Sequence, residues 1–456
     1  MRTRSLAASC LLLLGAASAT SPVVSATVAP SGSAAERPFT VAADINDLDM
    51  RMESLVLQSK HIVPPLQVDV SWIAGMEKVS DLPVVYLTDG HWRRVDHKYV
   101  HHLAARKLIP PVLVVGIGYP AGIDPQSNRA RDLYRSPDPF LQAILEEVIP
   151  LVEKRFRCSP DRRILFGASM GGYFSLYALR RSVLAASPWF HGYIAASSYM
   201  AESALSVGEL RGREVPARLY LSYGRHEARG GFAGIIVPNA ELFDALDRAR
   251  LPKLDYVHHV YPDTDHYTNT RPTLVDGVRL LLGTDEARGV GFTDLSQESV
   301  QYDFRAAVQV YDWEPVGALR AVALAGTGAP GLDASSGSLW VAADFANGTS
   351  GRVNTTFDHF EDLAENELVF HLFVPEDLAK LGYVARFFLS STYQWTEDLG
   401  APVRLEKPGW NRLVFTWKGK ETSGDPTLAR AVGIVIRRPE GAPAWKGDLY
   451  FDEISW

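Results

Sequence analysis

At 456 residues the chain exceeds the ~250–300 at which one hydrophobic core stops growing, so two domains are expected. An apolar share of 46% and a charged share of 22% suit packed globular domains and exclude a disordered or fibrous chain. The formal net charge of -7, from 46 Lys and Arg against 53 Asp and Glu, offers no basic field for phosphates or anionic lipid, and nucleic acid is not expected as a partner.

Arg2 and Arg4 precede an apolar run from Leu6 to Ala17, closed by the small residues Ala17-Ser18-Ala19. This is the pattern of a secretory signal over residues 1–19, with Val24-Ser25-Ala26 as a second cleavage option. The run falls short of the ~20 apolar residues that a membrane span needs, so the expectation is a secreted or periplasmic protein without a membrane span. Residues 20–38, rich in Ser, Ala, Pro and Thr, read as a flexible leader. Cys10 lies in the signal, which leaves Cys158 without a disulfide partner and reads as an inert thiol.

From 39 to 285 strand-like and helix-like text alternates. Val84 to Leu87 and Val112 to Ile117 are short apolar runs bounded by Pro and Gly, as in strands buried on both faces. Phe140 to Val152 has helical spacing, with Pro150 expected to kink or end its last turn. Arg163 to Phe166 predicts a strand and Tyr173 to Arg181 a helix; Tyr193 to Ala196, Leu219 to Tyr223 and Val257 to Tyr261 predict further strands, with helical text over Ala240 to Ala249. This alternation predicts an α/β domain, a doubly wound and mostly parallel sheet covered on both faces. Residues 286–300 read as a linker. Over 301–456 short runs such as Leu368 to Val374, Val384 to Leu389, Leu413 to Trp417 and Val432 to Ile436 recur between turn residues, predicting an all-β sandwich.

The chemistry concentrates in Gly167-Ala168-Ser169-Met170-Gly171-Gly172, set between a strand and a helix. It fits the nucleophile elbow G-x-S-x-G, in which a serine sits on a turn so tight that side chains two positions away would collide with the flanking strand and helix. At a helix start the Met170 N–H is placed to stabilise an oxyanion. Serine needs a base, and the base an orienting carboxylate. His266 follows the strand ending at Tyr261 in a short polar loop, and Glu227 follows the strand ending at Tyr223, so both are expected at the sheet edge that carries Ser169. Asp263 and Asp265 compete for the acidic role, though so close to His266 in sequence they would have to bend back sharply to orient it. The second oxyanion donor is expected from Asp89-Gly90-His91-Trp92, as the N–H of His91 or Trp92, with Trp92 a possible wall of the acyl pocket. Arg131 and Tyr134 are candidate cleft residues. Neither metal spacing nor a cofactor fingerprint occurs: His101-His102 and His258-His259 are adjacent pairs, and Gly116-Ile117-Gly118 lacks the rest of a dinucleotide motif.

With Asp89-Gly90, Arg131-Asp132-Leu133, Glu147 to Pro150, the GASMGG run, Glu227 and His266 in order, residues from about 65 to 283 resemble the putative-esterase family of α/β-hydrolases, which includes enterochelin-type, feruloyl and acetyl-xylan esterases. The resemblance implies a Ser169, Glu227, His266 triad and an ester or thioester substrate. Residues 301–456 resemble a carbohydrate-binding-module type of jelly roll through Leu368 to Pro375, Trp410 to Trp417 and Asp448 to Ile454, and Tyr393 and Trp395 are candidates for stacking on sugar rings. The combined expectation is a secreted serine esterase acting on feruloyl or acetyl esters of polysaccharide. A small-ester or siderophore-lactone esterase, an acyltransferase and a noncatalytic glycan-binding protein are the alternatives.

Overall fold

The computed structural model describes residues 45–76, 79–228, 232–262, 264–283, 302–325, 330, 337–364, 366–391, 394–416 and 425–456. The expected signal, leader and linker lie outside the described residues.

The first half contains β1 (Met50–Leu57), β2 (Leu66–Ile73), β3 (Leu82–Thr88), α1 (Arg94–Ala105), β4 (Leu113–Gly118), α2 (Pro125–Ala130), α3 (Pro137–Ala143), α4 (Ile149–Arg155), β5 (Cys158–Ala168) and α5 (Met170–Leu184). It continues through β6 (Gly192–Ala196), α6 (Ala201–Leu205), α7 (Val207–Leu210), β7 (Ala217–Gly224), α8 (Ala233–Ala249), β8 (Leu254–Tyr261) and α9 (Thr270–Leu282). The strands form one eight-stranded sheet in the order β1-β2-β4-β3-β5-β6-β7-β8. From β4 to β8 all neighbours are parallel, whereas β1 pairs antiparallel with β2 and β2 with β4.

Alternate side chains of each central strand feed opposite cores, as the two-residue period of a strand requires. Val84, Tyr86 and Leu165 point into the core that packs Phe140, Phe174 and Leu242, and Val85, Leu87, Ile164 and Phe166 into the one that packs Val100, Leu103, Leu274 and Val278. Helices α3 to α5 and α8 therefore cover one face, α1 and α9 the other, and the fold is the α/β-hydrolase arrangement that the alternating text predicts.

Two local readings differ from the structure. Helical backbone runs on past Pro150 to Arg155, so Pro150 does not end it. A π-helical turn over Ile144–Val148 precedes α4, so Pro150 falls in the first turn of a restarted helix, where a missing N–H leaves no ladder bond broken. The antiparallel edge of β1 and β2 was not predicted at all: β1 is half exposed along its length and carries no buried apolar run.

The second half contributes β9 (Trp313–Gly317), β10 (Leu319–Ala325), β11 (Ser338–Asp344), β12 (Ser350–Glu361), β13 (Glu367–Val374), β14 (Val384–Ser391), β15 (Gln394–Arg404), β16 (Gly409–Thr416), β17 (Ala429–Arg437) and β18 (Lys446–Ser455). They form two antiparallel sheets, β10-β11-β18-β13-β16 and β15-β14-β17-β12-β9. Leu339, Phe370 and Leu372 from one sheet and Phe387, Val432 and Ile434 from the other share one core, the face-to-face packing of a sandwich. Tyr393 and the side chain of Trp395 lie outside the described residues.

The two halves are docked by buried ion pairs. Lys98 of α1 meets Asp312, just before β9, at 2.5 Å, and Arg430 of β17 meets Asp265, in the loop after β8, at 3.2 Å.

Candidate active site

The ends of β3, β5, β6, β7 and β8 deliver Asp89, Ser169, Ser197, Glu227 and His266 to one edge of the sheet, the carboxyl edge where open α/β sheets bind ligands.

Ser169 lies on the turn between β5 and α5 with φ 58° and ψ -116°, a conformation that disfavours any side chain. Its surroundings hold it there. The Ser169 N–H donates to the Ala196 carbonyl at 2.9 Å, and its own carbonyl accepts from the Tyr173 and Tyr199 N–H groups, both at 3.0 Å. A Cβ at Gly167 would stand 2.0 Å from the Gly171 carbonyl oxygen, and one at Gly171 2.4 Å from Thr88 Oγ1. The first glycine lets the elbow fold onto itself; the second lets α5 start against the end of β3. Met170 is the first residue of α5, so its N–H has no partner within the helix.

Glu227 is buried in a 3₁₀ turn directly after β7. Its Oε1 accepts from the Ser197 hydroxyl at 2.6 Å and from the Gly224 N–H at 2.8 Å, and its Oε2 faces His266 Nδ1 at 2.9 Å. Asn269 Nδ2 donates to Ser197 Oγ at 2.8 Å, tying the carboxylate's partner to the first turn of α9. A carboxylate can only accept, so the proton of a neutral His266 resides on Nδ1 and Nε2 keeps its lone pair. The Phe232 ring lies parallel to the imidazole, with centroids 4.0 Å apart and planes 12° apart. Among the described residues the hydrogen bond of the His266 ring runs to Glu227, and Ser169 follows β5 at the same edge of the sheet.

The Asp265 carboxylate is engaged by its own loop and by Arg430. Its Oδ1 accepts from the N–H groups of Tyr267 at 2.9 Å and Thr268 at 3.0 Å, which makes it the cap of the loop that carries His266. Asp263 lies outside the described residues.

The loop after β3 turns at Asp89, whose φ is 57°. Burial alone would push the Asp89 carboxyl up, but the Arg129 guanidinium, bound at 2.9 and 2.7 Å, holds it below the ordinary value. Arg129 also lies 5.4 Å from the centre of the Trp92 ring. The Trp92 N–H donates to the Asp89 carbonyl at 2.9 Å. His91 packs between Trp92 and Tyr119, and burial pushes its imidazole down to about 4. Gly118 makes room for it, since a Cβ there would lie 2.5 Å from His91 Nδ1.

Of the two candidate cleft residues, Arg131 is engaged by Asp132 at 2.6 and 2.8 Å and lines, with His61, Val63 and Pro139, a cavity of about 250 Å³. Tyr134 sits edge-on against Tyr173 at 5.0 Å and Tyr199 at 4.9 Å, forming a half-exposed aromatic wall whose last two members bond the Ser169 carbonyl through their backbones.

Sequence reasoning missed Ser197, Tyr199, Phe232 and Asn269, and it read Arg129 only as the start of a charged segment near the cleft, without its pairing to Asp89. Ser197 was accessible to the same rule that selects Glu227, since it is the first residue after a central strand. Cys158 opens β5, at the end of the strand opposite Ser169; burial pushes its thiol up to about 12. Among the described residues no group of three His, Cys, Asp or Glu is arranged to hold a metal ion. No described helix is long and apolar enough to cross a membrane.

Residues 74–276 match the family model described as Putative esterase. No curated protein matches the sequence significantly. Similar solved structures include the BES protein from Bacillus cereus, at 22% identity over 51% of this chain and 96% of that one, with a TM-score of 0.44. Others are the siderophore hydrolase EstB from Aspergillus nidulans (22% identity, 51% and 95% covered, TM-score 0.43) and the enterobactin esterase FES from Shigella flexneri (21%, 52% and 60%, 0.43).

Proposed function

We propose that the chain, whose residues 74–276 match the Putative esterase family model, is an esterase that cleaves carboxylic esters through an acyl-enzyme formed on Ser169. His266 Nε2 takes the Ser169 proton as Oγ attacks the ester carbonyl, and the imidazolium that forms is stabilised by Glu227 at Nδ1. The alcohol leaves with the proton from His266; water then repeats the sequence on the acyl-enzyme. The Met170 N–H receives the oxyanion together with the His91 N–H, which is the better placed of the two loop candidates because the Trp92 N–H is engaged by Asp89. The observation that carries this reading is the saturated Glu227 carboxylate, with one oxygen given to His266 and the other fixed by Ser197 and Gly224.

The substrate we propose is an aromatic acyl ester, feruloyl esters of polysaccharide first, on a secreted enzyme. Support comes from the wall of Tyr134, Tyr173 and Tyr199 beside Ser169, whose rings offer edge-to-face and stacking partners to a flat acyl group. The catechol rings of a siderophore lactone would suit the same wall. Rates on methyl ferulate, acetylated xylan and a siderophore lactone, each compared with Ser169→Ala, test the proposal. Methyl ferulate is expected to be fastest, and Tyr134→Ala to raise its KM about tenfold while sparing acetyl esters. Hydrolysis that persists in Ser169→Ala would overturn the mechanism, and faster turnover of acetylated xylan the substrate.

A further inference from the structure

The loop that carries His266 is held from outside its own domain. Arg430 of β17 reaches across the junction with its side chain buried, and Nη1 donates to Asp265 Oδ2 at 3.2 Å. Its Nε donates to the Ser390 hydroxyl of β14 at 2.8 Å, and its guanidinium carbon lies 4.3 Å from the centre of the Tyr267 ring. One side chain of the sandwich thus contacts both residues that flank His266. Asp265 passes the contact on: while Oδ2 is held by Arg430, Oδ1 accepts from the Tyr267 and Thr268 N–H groups and from Thr268 Oγ1, at 2.9 to 3.1 Å. Tyr267 in turn packs edge-on against the His266 ring at 5.7 Å and against Phe232, the ring stacked on His266, at 5.4 Å.

We propose that Arg430 is a positioning residue for the hydrolytic centre, so that the sandwich completes the esterase by fixing the loop of its general base. This rests on reading Ser169, Glu227 and His266 as the reacting set. An ion pair buried on both sides is a poor device for stability, since desolvation offsets most of its attraction, but a good one for fixing a single geometry. Ser390 anchors the guanidinium from behind, leaving it one orientation toward Asp265 and Tyr267. A displacement of His266 by about 1 Å is enough to lower turnover ~100-fold.

The test uses the full chain and three variants: Arg430→Gln, Arg430→Lys, and Arg430→Gln combined with Asp265→Asn, which removes both charges so that neither is buried alone. The kinetic readout is kcat against KM for a nitrophenyl ester. Arg430→Gln is expected to lower kcat at least ~10-fold with KM changed less than about 3-fold, and Arg430→Lys to restore part of the loss. The double variant, folded by circular dichroism, is expected to stay slow. A second readout needs no turnover: proton NMR of the hydrogen bond between His266 Nδ1 and Glu227, a downfield signal expected in the parent, weakened or absent in Arg430→Gln and recovered in Arg430→Lys. An unchanged signal together with an unchanged kcat in the folded variants overturns the role of Arg430. A parent chain without Ser169-dependent hydrolysis would instead sink the esterase reading, while the NMR comparison would still decide whether Arg430 holds the loop.

Discussion

Arg129 and Asp89 meet as a buried two-bond pair, Nε to Oδ1 at 2.9 Å and Nη2 to Oδ2 at 2.7 Å, under the loop that carries His91 and Trp92. Removing the cation leaves a carboxylate buried without a partner. Arg129→Leu is expected to cost about 3–5 kcal/mol, read from urea unfolding, and to reduce hydrolysis because the His91 N–H moves with the loop. Arg129→Lys keeps the charge but not the paired geometry and should fall between. A loss below about 1 kcal/mol would mean that the pair is not what holds this turn.

Glu227→Gln should leave the fold in place and lower kcat by about 10²–10⁴-fold with little change in KM. The amide can still accept at one atom, but its NH₂ offers a donor where His266 needs an acceptor, which favours the wrong tautomer. The check is steady-state kinetics on a nitrophenyl ester beside the parent protein. Parent-like kcat would remove Glu227 from the reacting set.

Gly167→Ala and Gly171→Ala should separate in severity. The first places a methyl 2.0 Å from a backbone carbonyl oxygen of the same turn, which cannot move without opening the elbow. The second meets the hydroxyl of Thr88, at 2.4 Å, which can rotate away. We expect Gly167→Ala to abolish soluble expression or activity, and Gly171→Ala to lose about 1–3 kcal/mol by thermal melting. Equal effects would contradict this account of the motif.

Stability should fall on acidification from pH 7. His97 and His101 are fully buried around the Ser71 hydroxyl, at 2.7 and 2.8 Å, and burial pushes both rings down to about 3; burial likewise pushes His91 down to about 4. The unfolded chain takes up protons on these rings near pH 6.5, as ordinary histidines do. Between there and pH 3 to 4 the unfolded state therefore binds more protons, and stability is lost as pH drops through that window, by at most about 1.4 kcal/mol per pH unit for each ring. Asp89, held below its ordinary value, adds to the loss only below about pH 4. Urea midpoints at pH 7, 6 and 5 should decline, less steeply for His97→Gln; a flat profile would rule the rings out as its cause.

What could be read from the chain was whatever follows from local spacing. Gly167, Ser169 and Gly171 declare a tight strand-to-helix turn, and Glu227 and His266 each follow an apolar strand, so one topological rule places all three at a common edge. Arg129, Phe232 and Arg430 obey no such rule, because each meets the site by packing from a segment remote in sequence. Arg430 lies 165 residues from Asp265 and looks like any arginine in a β-strand. The first strand escaped for a related reason: at a sheet edge β1 has water on one side and lacks the apolar run by which the central strands announce themselves. Pro150 misled because a proline's effect depends on the helix register before it, and the π turn changes that register.

The backbone angle at residue 169 sets heat resistance against chemistry. A φ of 58° with ψ of -116° suits glycine and penalises serine, so Ser169→Gly should melt at a higher temperature than the parent while losing hydrolysis altogether. Selection for thermal robustness alone would therefore erode this position first. On the proposed mechanism, the protein tolerates a weak point in its scaffold because that is where its hydroxyl has to stand.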